Sequence, residues 1–437
     1  MLSRYDAELA LRDPLIPSLP LLFDAKAFKR KLKSTMPQLN LTELSVNYVR
    51  YKPGTSCMVA GEAKIDDEPT SYYAKGLSLE SAHKIDKAHR RINGSSQGVP
   101  GLVLNDAPVA VYFFPEDRHL RILSRLVKAQ SRKGLLQRNL KSRQDLWDVD
   151  LSTLRYKPER RYVAKMITPN GSAALLKVYA GKDYQSSQRG SKIVTSREHL
   201  RIADRIGRSN RHKMVILEWL DGELLSEALK DPRFNLANLE HVAAALVELH
   251  EQRPPRLREA NPTADVKALS SVAAYVAFLC PSLSDKIIPL TEGAISALSE
   301  TKKHYYSVHN DFSVDQILVE NGHIGFIDLD LASRGDRFMD LSSFVANIEY
   351  SVLVGDPYAF SAGEISDTFL HAYQEYSGKR LRSNLNRKIA ASLIRLAPQP
   401  FRYRLSNWPS LTERIIERAY ELSRRKFRFG QWLSSTS

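Results

Sequence analysis

The sequence predicts an α+β chain in which small antiparallel sheets come first and a helical lobe comes last. Three observations predict it. Short β-rich runs punctuated by Pro and Gly fill the first half of the chain. Beyond Asp221-Gly222 apolar residues recur at three- and four-residue spacing, as in Leu239, Val242, Ala243, Leu246 and Leu249. A six-residue string in the first half also occurs twice. Period-two patterning argues strand, a three-to-four spacing argues helix, and segregation of the two along the chain is the mark of an α+β architecture.

The repeated string is Val49-Arg50-Tyr51-Lys52-Pro53-Gly54, echoed by Leu154-Arg155-Tyr156-Lys157-Pro158-Glu159. Each copy leads through β-rich residues to a lysine in an apolar strand, Lys75 24 residues after Tyr51 and Lys177 21 residues after Tyr156. Two copies are too few for a solenoid, so a duplicated small sheet is expected, with Lys75 an ordinary strand lysine. Between the copies, Arg118 to Asp148 carries leucines among many basic residues and reads as helix and connection, which sets a boundary near residue 148. From there the pattern predicts strands over 153–157, 161–166 and 173–180, a Thr168-Pro169-Asn170-Gly171 turn, and a helix over 196–206. Three units follow: an N-terminal domain over 1–148, a second sheet and its exit over 149–222, and a helical lobe over 223–437.

A length of 437 residues suits two or three compact units, and the hydrophobic and charged fractions are those of a folding chain rather than a disordered one. Only Cys57 and Cys280 occur, which excludes a disulfide framework or a Cys-rich zinc site and fits a reducing compartment. With no apolar leader and no membrane-length apolar run, a cytoplasmic protein without a membrane span is expected. The net charge of +15 favours anionic partners such as nucleotides, phosphorylated sugars, acidic lipid surfaces or RNA. Basic runs such as Lys29-Arg30-Lys31 and Arg424-Arg425-Lys426 are dispersed and lack aromatic interleaving or finger spacing, which disfavours nucleic acid.

The chemistry is concentrated in His309-Asn310-Asp311-Phe312-Ser313-Val314-Asp315-Gln316, followed by a hairpin around Asn321-Gly322 and by Gly325-Phe326-Ile327-Asp328-Leu329-Asp330. Asn-Gly between apolar runs is a strong hairpin signal, and the hairpin folds Asp311, Gln316 and Asp328 toward one another. Phosphoryl transfer needs such a cluster: one carboxylate to accept a hydroxyl proton, and carboxylate and amide oxygens to hold magnesium against the phosphates. Asp315 reads as a hydrogen-bonding turn residue.

This passage resembles the aminoglycoside phosphotransferase (APH) and choline kinase family of the protein-kinase-like superfamily, whose loop reads H-G-D-x-x-x-x-N and is followed by I-D-x-x. The resemblance implies a protein-kinase-like bilobal fold, here with an extra N-terminal domain that looks like a duplicated, degenerate N-lobe. It implies Asp311 as proton acceptor and Asp328 as metal-binding aspartate, with Gln316 in place of the usual asparagine; Asp330 reads as a second metal ligand, the alternative being a solvated strand-end residue. Asn310 stands where the family has glycine. Lys177 sits where a lysine pairs the nucleotide phosphates, with Glu198 as its helix partner, and Glu218, Trp219 and Leu220 form the hinge that meets adenine. The loop covering the phosphates falls on Lys157-Pro158-Glu159-Arg160-Arg161, which lacks the Gly-rich cradle and offers basic side chains in its place. His309 is expected to brace the Asp328 loop, and His250, Asp336 and Asp340 to be structural. The implied function is ATP- and Mg²⁺-dependent phosphorylation of a hydroxyl on a small polar metabolite, with a sugar or sugar-like alcohol first. The alternatives are a nucleotide-binding pseudokinase or regulatory scaffold and, on charge alone, phosphorylation of RNA or protein.

Overall fold

A computed structural model of the protein describes residues 2–85, 99, 101–104, 107–190, 194–299 and 306–430. The first sheet is antiparallel and contains β1 (Leu41–Leu44), β2 (Tyr48–Lys52), β3 (Ser56–Ile65), β4 (Glu68–Leu77), β5 (Leu102–Leu104) and β6 (Val109–Phe113), in the order β1-β3-β4-β6-β5 with β2 also on β3. The second sheet holds β7 (Asp150–Lys157), β8 (Arg161–Ile167) and β9 (Ala173–Tyr179). After an excursion through β10 (Leu200–Ile202), β11 (Arg205–Ser209) and β12 (Met214–Glu218) complete it. Its order, β7-β8-β9-β12-β11, reproduces the first sheet strand for strand, β7 with its bulge standing for β1 and β2 together.

The register agrees as well. Lys75 lies opposite Met58 and Ala110, and Lys177 lies opposite Val163 and Val215 at the same places in the two sheets. Each sheet is preceded by a pair of helices, Leu19–Phe23 with Ala25–Thr35 in the first copy and Leu123–Leu126 with Ala129–Asn139 in the second. A buried aspartate ahead of each pair ties the hairpin tip. Asp13 accepts from the Tyr51 hydroxyl (2.5 Å) and the Gly54 amide (2.8 Å); Asp117 accepts from the Tyr156 hydroxyl (2.8 Å) and the Glu159 amide (2.8 Å). The string echo is therefore the visible part of a complete duplication.

This packing moves one expected boundary. Leu123, Leu126, Leu135, Leu136 and Leu140 share a single core with Tyr162, Met166, Leu176 and Ile216 of the second sheet. A division at residue 148 would cut that core; the buried leucine face places 117–148 with the second unit. The helix expected over 196–206 is also corrected. The helix laid beside the second sheet comes earlier, at Gly181–Gly190, and packs on the turn Leu329–Leu331. Residues 200–202 are instead the strand β10.

The remaining strands are β13 (Glu223–Leu224), β14 (Tyr306–Val308), β15 (Ile317–Glu320), β16 (His323–Phe326) and β17 (Ser333–Gly335). They form a small sheet ordered β10-β16-β15-β13 and a β14–β17 pair. Helices Asn238–Glu251, Pro262–Leu279, Ser284–Ser299, Phe338–Val354, Ala362–Ser377, Leu385–Leu396 and Trp408–Ser423 make the lobe beneath. Their ends follow from local chemistry: Asn261 caps the helix opened by Pro262, and Ser361 with Glu364 forms a capping box on a helix that stops at Gly378, φ +61°. The first unit docks on this lobe through Phe23 against Phe401 (5.9 Å between ring centres) and Arg404 paired with both oxygens of Asp6 (3.0 and 2.7 Å). Among the described residues no helix is long and apolar enough to cross a membrane.

Candidate active site

The β14 strand delivers the loop that starts at His309, and one buried carboxylate holds the backbone of that loop. Asp340, on the helix Phe338–Val354, accepts from the His309 amide (2.7 Å), the Asn310 amide (2.8 Å) and His250 Nε2 (3.0 Å). His250 Nδ1 in turn accepts from the Tyr373 hydroxyl (2.7 Å), and burial keeps its pKa below the usual histidine range, so the ring is neutral and donates through Nε2. The backbone turns at Asn310 with φ +67°, a conformation that glycine takes freely and asparagine tolerates. The asparagine side chain adds donations to the Leu331 carbonyl (2.9 Å) and the Ser333 hydroxyl (2.7 Å). His309 Nε2 donates to the Ile327 carbonyl (2.9 Å) and Nδ1 accepts from the Asp311 amide (3.3 Å), tying the loop to the strand end that carries Asp328. Asp336 is ion-paired with the buried Lys388 (2.9 Å).

These restraints present Asp311 at a cleft of about 230 Å³ that it shares with Lys157, Arg161, Tyr179, Asp328 and Asp330. Desolvation by the cleft walls raises the Asp311 carboxyl above its ordinary range; His309 opposes this and Asp328 adds to it. Asp328, in the left-handed region at φ +63°, projects back into the cleft. Arg161 Nη1 lies 2.9 Å from each of its oxygens, and the Lys177 ammonium lies 3.0 Å away. Burial alone would raise the Asp328 carboxyl, but Lys177 and Arg161 outweigh it and hold the group ionised below the usual carboxylate range. Asp330 accepts from the Tyr179 hydroxyl (2.9 Å); burial, and then the neighbouring Asp328, push its carboxyl upward, against the pull of Lys177. Gln316 is buried in the short turn before β15, and its carbonyl accepts from the Ile327 amide (3.0 Å), which puts it beside Asp328.

Glu198 does not join Lys177. It is exposed on the segment before β10, next to His199 and Glu248, and Lys177 pairs with Asp328 and, at 3.9 Å, Asp330. The physical reason is the corrected helix: the element beside the sheet is Gly181–Gly190, whose Asp183 reaches Arg160 (3.3 Å). At the hinge, β12 ends on Glu218, whose amide donates to the Asp204 carbonyl (2.9 Å). Trp219 carries the Lys165 ammonium over its ring at 4.1 Å, and Leu220 packs over Gly325. Sequence reasoning missed Tyr179 and the contact of Arg161 Nη1 with both Asp328 oxygens. Both lie on strands whose alternation was legible, but which face met Asp328 was not.

Two small sheets over helices, with a His-x-Asp loop, a lysine on the third strand of the second sheet and a following aspartate, make a protein-kinase-like fold. Residues 192–382 match the phosphotransferase enzyme family (APH). That segment contains the Asp311 loop and the Asp328 hairpin. Among solved structures, choline kinase from Cryptosporidium parvum aligns at TM-score 0.50 and 12% identity, over 68% of this chain and 95% of that one. At that identity the likeness concerns the fold. A thermostable mutant of aminoglycoside phosphotransferase APH(4)-Ia aligns at 0.48 and 17% identity, over 68% and 98% of the two chains. A choline/ethanolamine kinase family protein from Mesorhizobium loti aligns at 0.45 and 13%, over 63% and 88%. No curated protein sequence matches the chain.

Proposed function

We propose that the chain transfers the γ-phosphoryl group of ATP to a hydroxyl of a small polar metabolite, with a sugar or sugar-like alcohol as the first class of acceptor. The observation that carries the reading is the open Asp311 carboxylate at the mouth of a cleft that also holds the ionised Asp328 between Lys177 and Arg161. Asp311 is placed to accept the proton of the attacking hydroxyl, and its raised pKa favours that task. Arg161 and Lys157 in the cleft wall, with Lys177 against Asp328, supply the positive charge that phosphate oxygens require. His309 orients the loop, since both its ring nitrogens are engaged. Glu218, Trp219 and Leu220 line the hinge for adenine.

Mg²⁺ fits the donor set. It prefers hard oxygen ligands, and Asp328, Asp330 and the Gln316 amide oxygen would hold it. When bound it neutralises charge developing on the β- and γ-phosphates. The net charge of +15 argues against a cationic aminoglycoside and for a neutral or acidic acceptor. The test is an ATP-consumption screen over sugars, polyols, aminoglycosides and RNA, with Asp311→Asn as control. Turnover of one acceptor that falls by roughly 10²–10⁴ in the variant supports the reading. An active acceptor turned over equally by both proteins removes Asp311 from the reaction, and silence across the panel favours the regulatory scaffold.

A further inference from the structure

The two copies of the duplicated unit have put the same lysine to different uses. In the second copy Lys177 faces Asp328 in the cleft. In the first, Lys75, at the equivalent register position, leaves its own sheet and ion-pairs with Glu159 Oε2 at 2.7 Å. Glu159 is the tip of the β7–β8 hairpin, the loop expected to cover the phosphates. Arg50, from the first copy's own hairpin, adds a second contact to the same oxygen at 2.9 Å, and the Glu159 side chain is only 4% exposed. With its amide held by Asp117 as well, the hairpin tip is fastened to both units.

Both copies turn here through the left-handed region, Gly54 at φ +65° and Glu159 at φ +59°. Gly54 adopts it freely, whereas a glutamate there carries backbone strain that persists only when the surroundings over-determine it. Here the over-determining contacts are Lys75, Arg50 and Asp117. The residues flanking this strained tip, Lys157 and Arg161, both line the cleft. The hairpin has no glycine-rich cradle, so its position must be imposed by side chains.

We infer that the N-terminal unit is a clamp on the phosphate-covering hairpin, with Lys75 and Arg50 as positioning residues that act through Glu159 to hold Lys157 and Arg161 at the cleft. The sense in which the clamp serves nucleotide binding rests on the phosphotransferase reading above; the clamp itself does not. Lys75 is thus spent on the neighbouring unit and is no second nucleotide anchor.

The full-length protein and its Lys75→Met, Arg50→Met, Lys75→Met/Arg50→Met, Lys75→Arg and Glu159→Gly variants test this. Glu159→Gly removes the gripped carboxylate while relieving the backbone, so it keeps the fold if the others falter. Two readouts are taken: hydrogen exchange of the Glu159, Arg160 and Arg161 amides without nucleotide, and ATP affinity by calorimetry. Exchange about tenfold faster in the double variant and in Glu159→Gly but close to the parent's in Lys75→Arg, with ATP binding weakened by a similar factor in the first two, is expected for loss of buried charge-assisted contacts. Exchange unchanged in both the double variant and Glu159→Gly overturns the clamp whatever the nucleotide does. Faster exchange in a protein whose parent binds no ATP leaves the clamp standing and sinks the ATP reading instead.

Discussion

Asp340→Ala tests how the Asp311 loop is held. Asp340 is fully buried and accepts three hydrogen bonds, from the amides of His309 and Asn310 and from His250 Nε2. Alanine leaves all three donors buried without an acceptor. A buried unsatisfied donor costs about 1–3 kcal/mol, so the sum is about 3–6 kcal/mol after local relaxation, a large share of the 5–15 kcal/mol that a folded domain has in hand. Asp340→Asn keeps one oxygen and sets an amide NH₂ against the remaining donors, for a cost of about 1–3 kcal/mol. Both variants also free the backbone of the two residues that lead into Asp311, so Asp340→Asn should lose turnover while keeping most of its ATP affinity. The assay is urea unfolding followed by tryptophan fluorescence and circular dichroism, fitted with a shared slope, alongside calorimetric titration of ATP. A loss below about 1 kcal/mol in Asp340→Ala would refute the view that this carboxylate is the anchor of the loop.

Lys177→Ala should weaken ATP binding, since it removes a charge-assisted phosphate contact, and calorimetry with and without Mg²⁺ reads it; affinity equal to the parent's would take Lys177 out of the nucleotide site. Asp328→Asn should abolish most Mg²⁺-dependent ATP binding, Gln316→Asn should be tolerated and Gln316→Leu should not, because only the last deletes the amide oxygen. Retention of Mg²⁺-dependent binding by Asp328→Asn would remove that residue as the metal ligand. Burial, and then Arg155, Arg161 and Arg160, lower the Lys157 ammonium to about 8, while Asp311 pulls the other way. Phosphate binds the protonated form, so ATP affinity should be full below that pKa and decline as pH rises through it. Lys157→Arg should abolish the decline, and a flat parent profile from pH 7 to 9 would exclude Lys157 from contact with phosphate.

What the sequence by itself determined is local. The Asn321-Gly322 turn and the alternation over 161–167 and 173–179 each act within a few residues of the chain, and the His309-to-Asp328 spacing spans only 19, so turn chemistry and side-chain periodicity encode them without help. The echo in the two Arg-Tyr-Lys-Pro strings likewise marked two hairpins of one shape. Tertiary structure decided everything that needed a distant partner. Residues 200–202 became a strand because β16 offers them a parallel edge from more than a hundred positions later, and the glycine-bounded segment 181–190 became the helix beside the sheet because the Leu329–Leu331 turn receives it. Asp13 and Asp117 are 38 and 39 positions from the tyrosines they hold, a separation at which no pattern along the chain links them. The pairing of Lys177 with Asp328 rather than Glu198, and of Lys75 with Glu159, was settled in the same way. Ion pairing follows proximity and desolvation in space, and those are set only once the two sheets and the helical lobe have packed against one another.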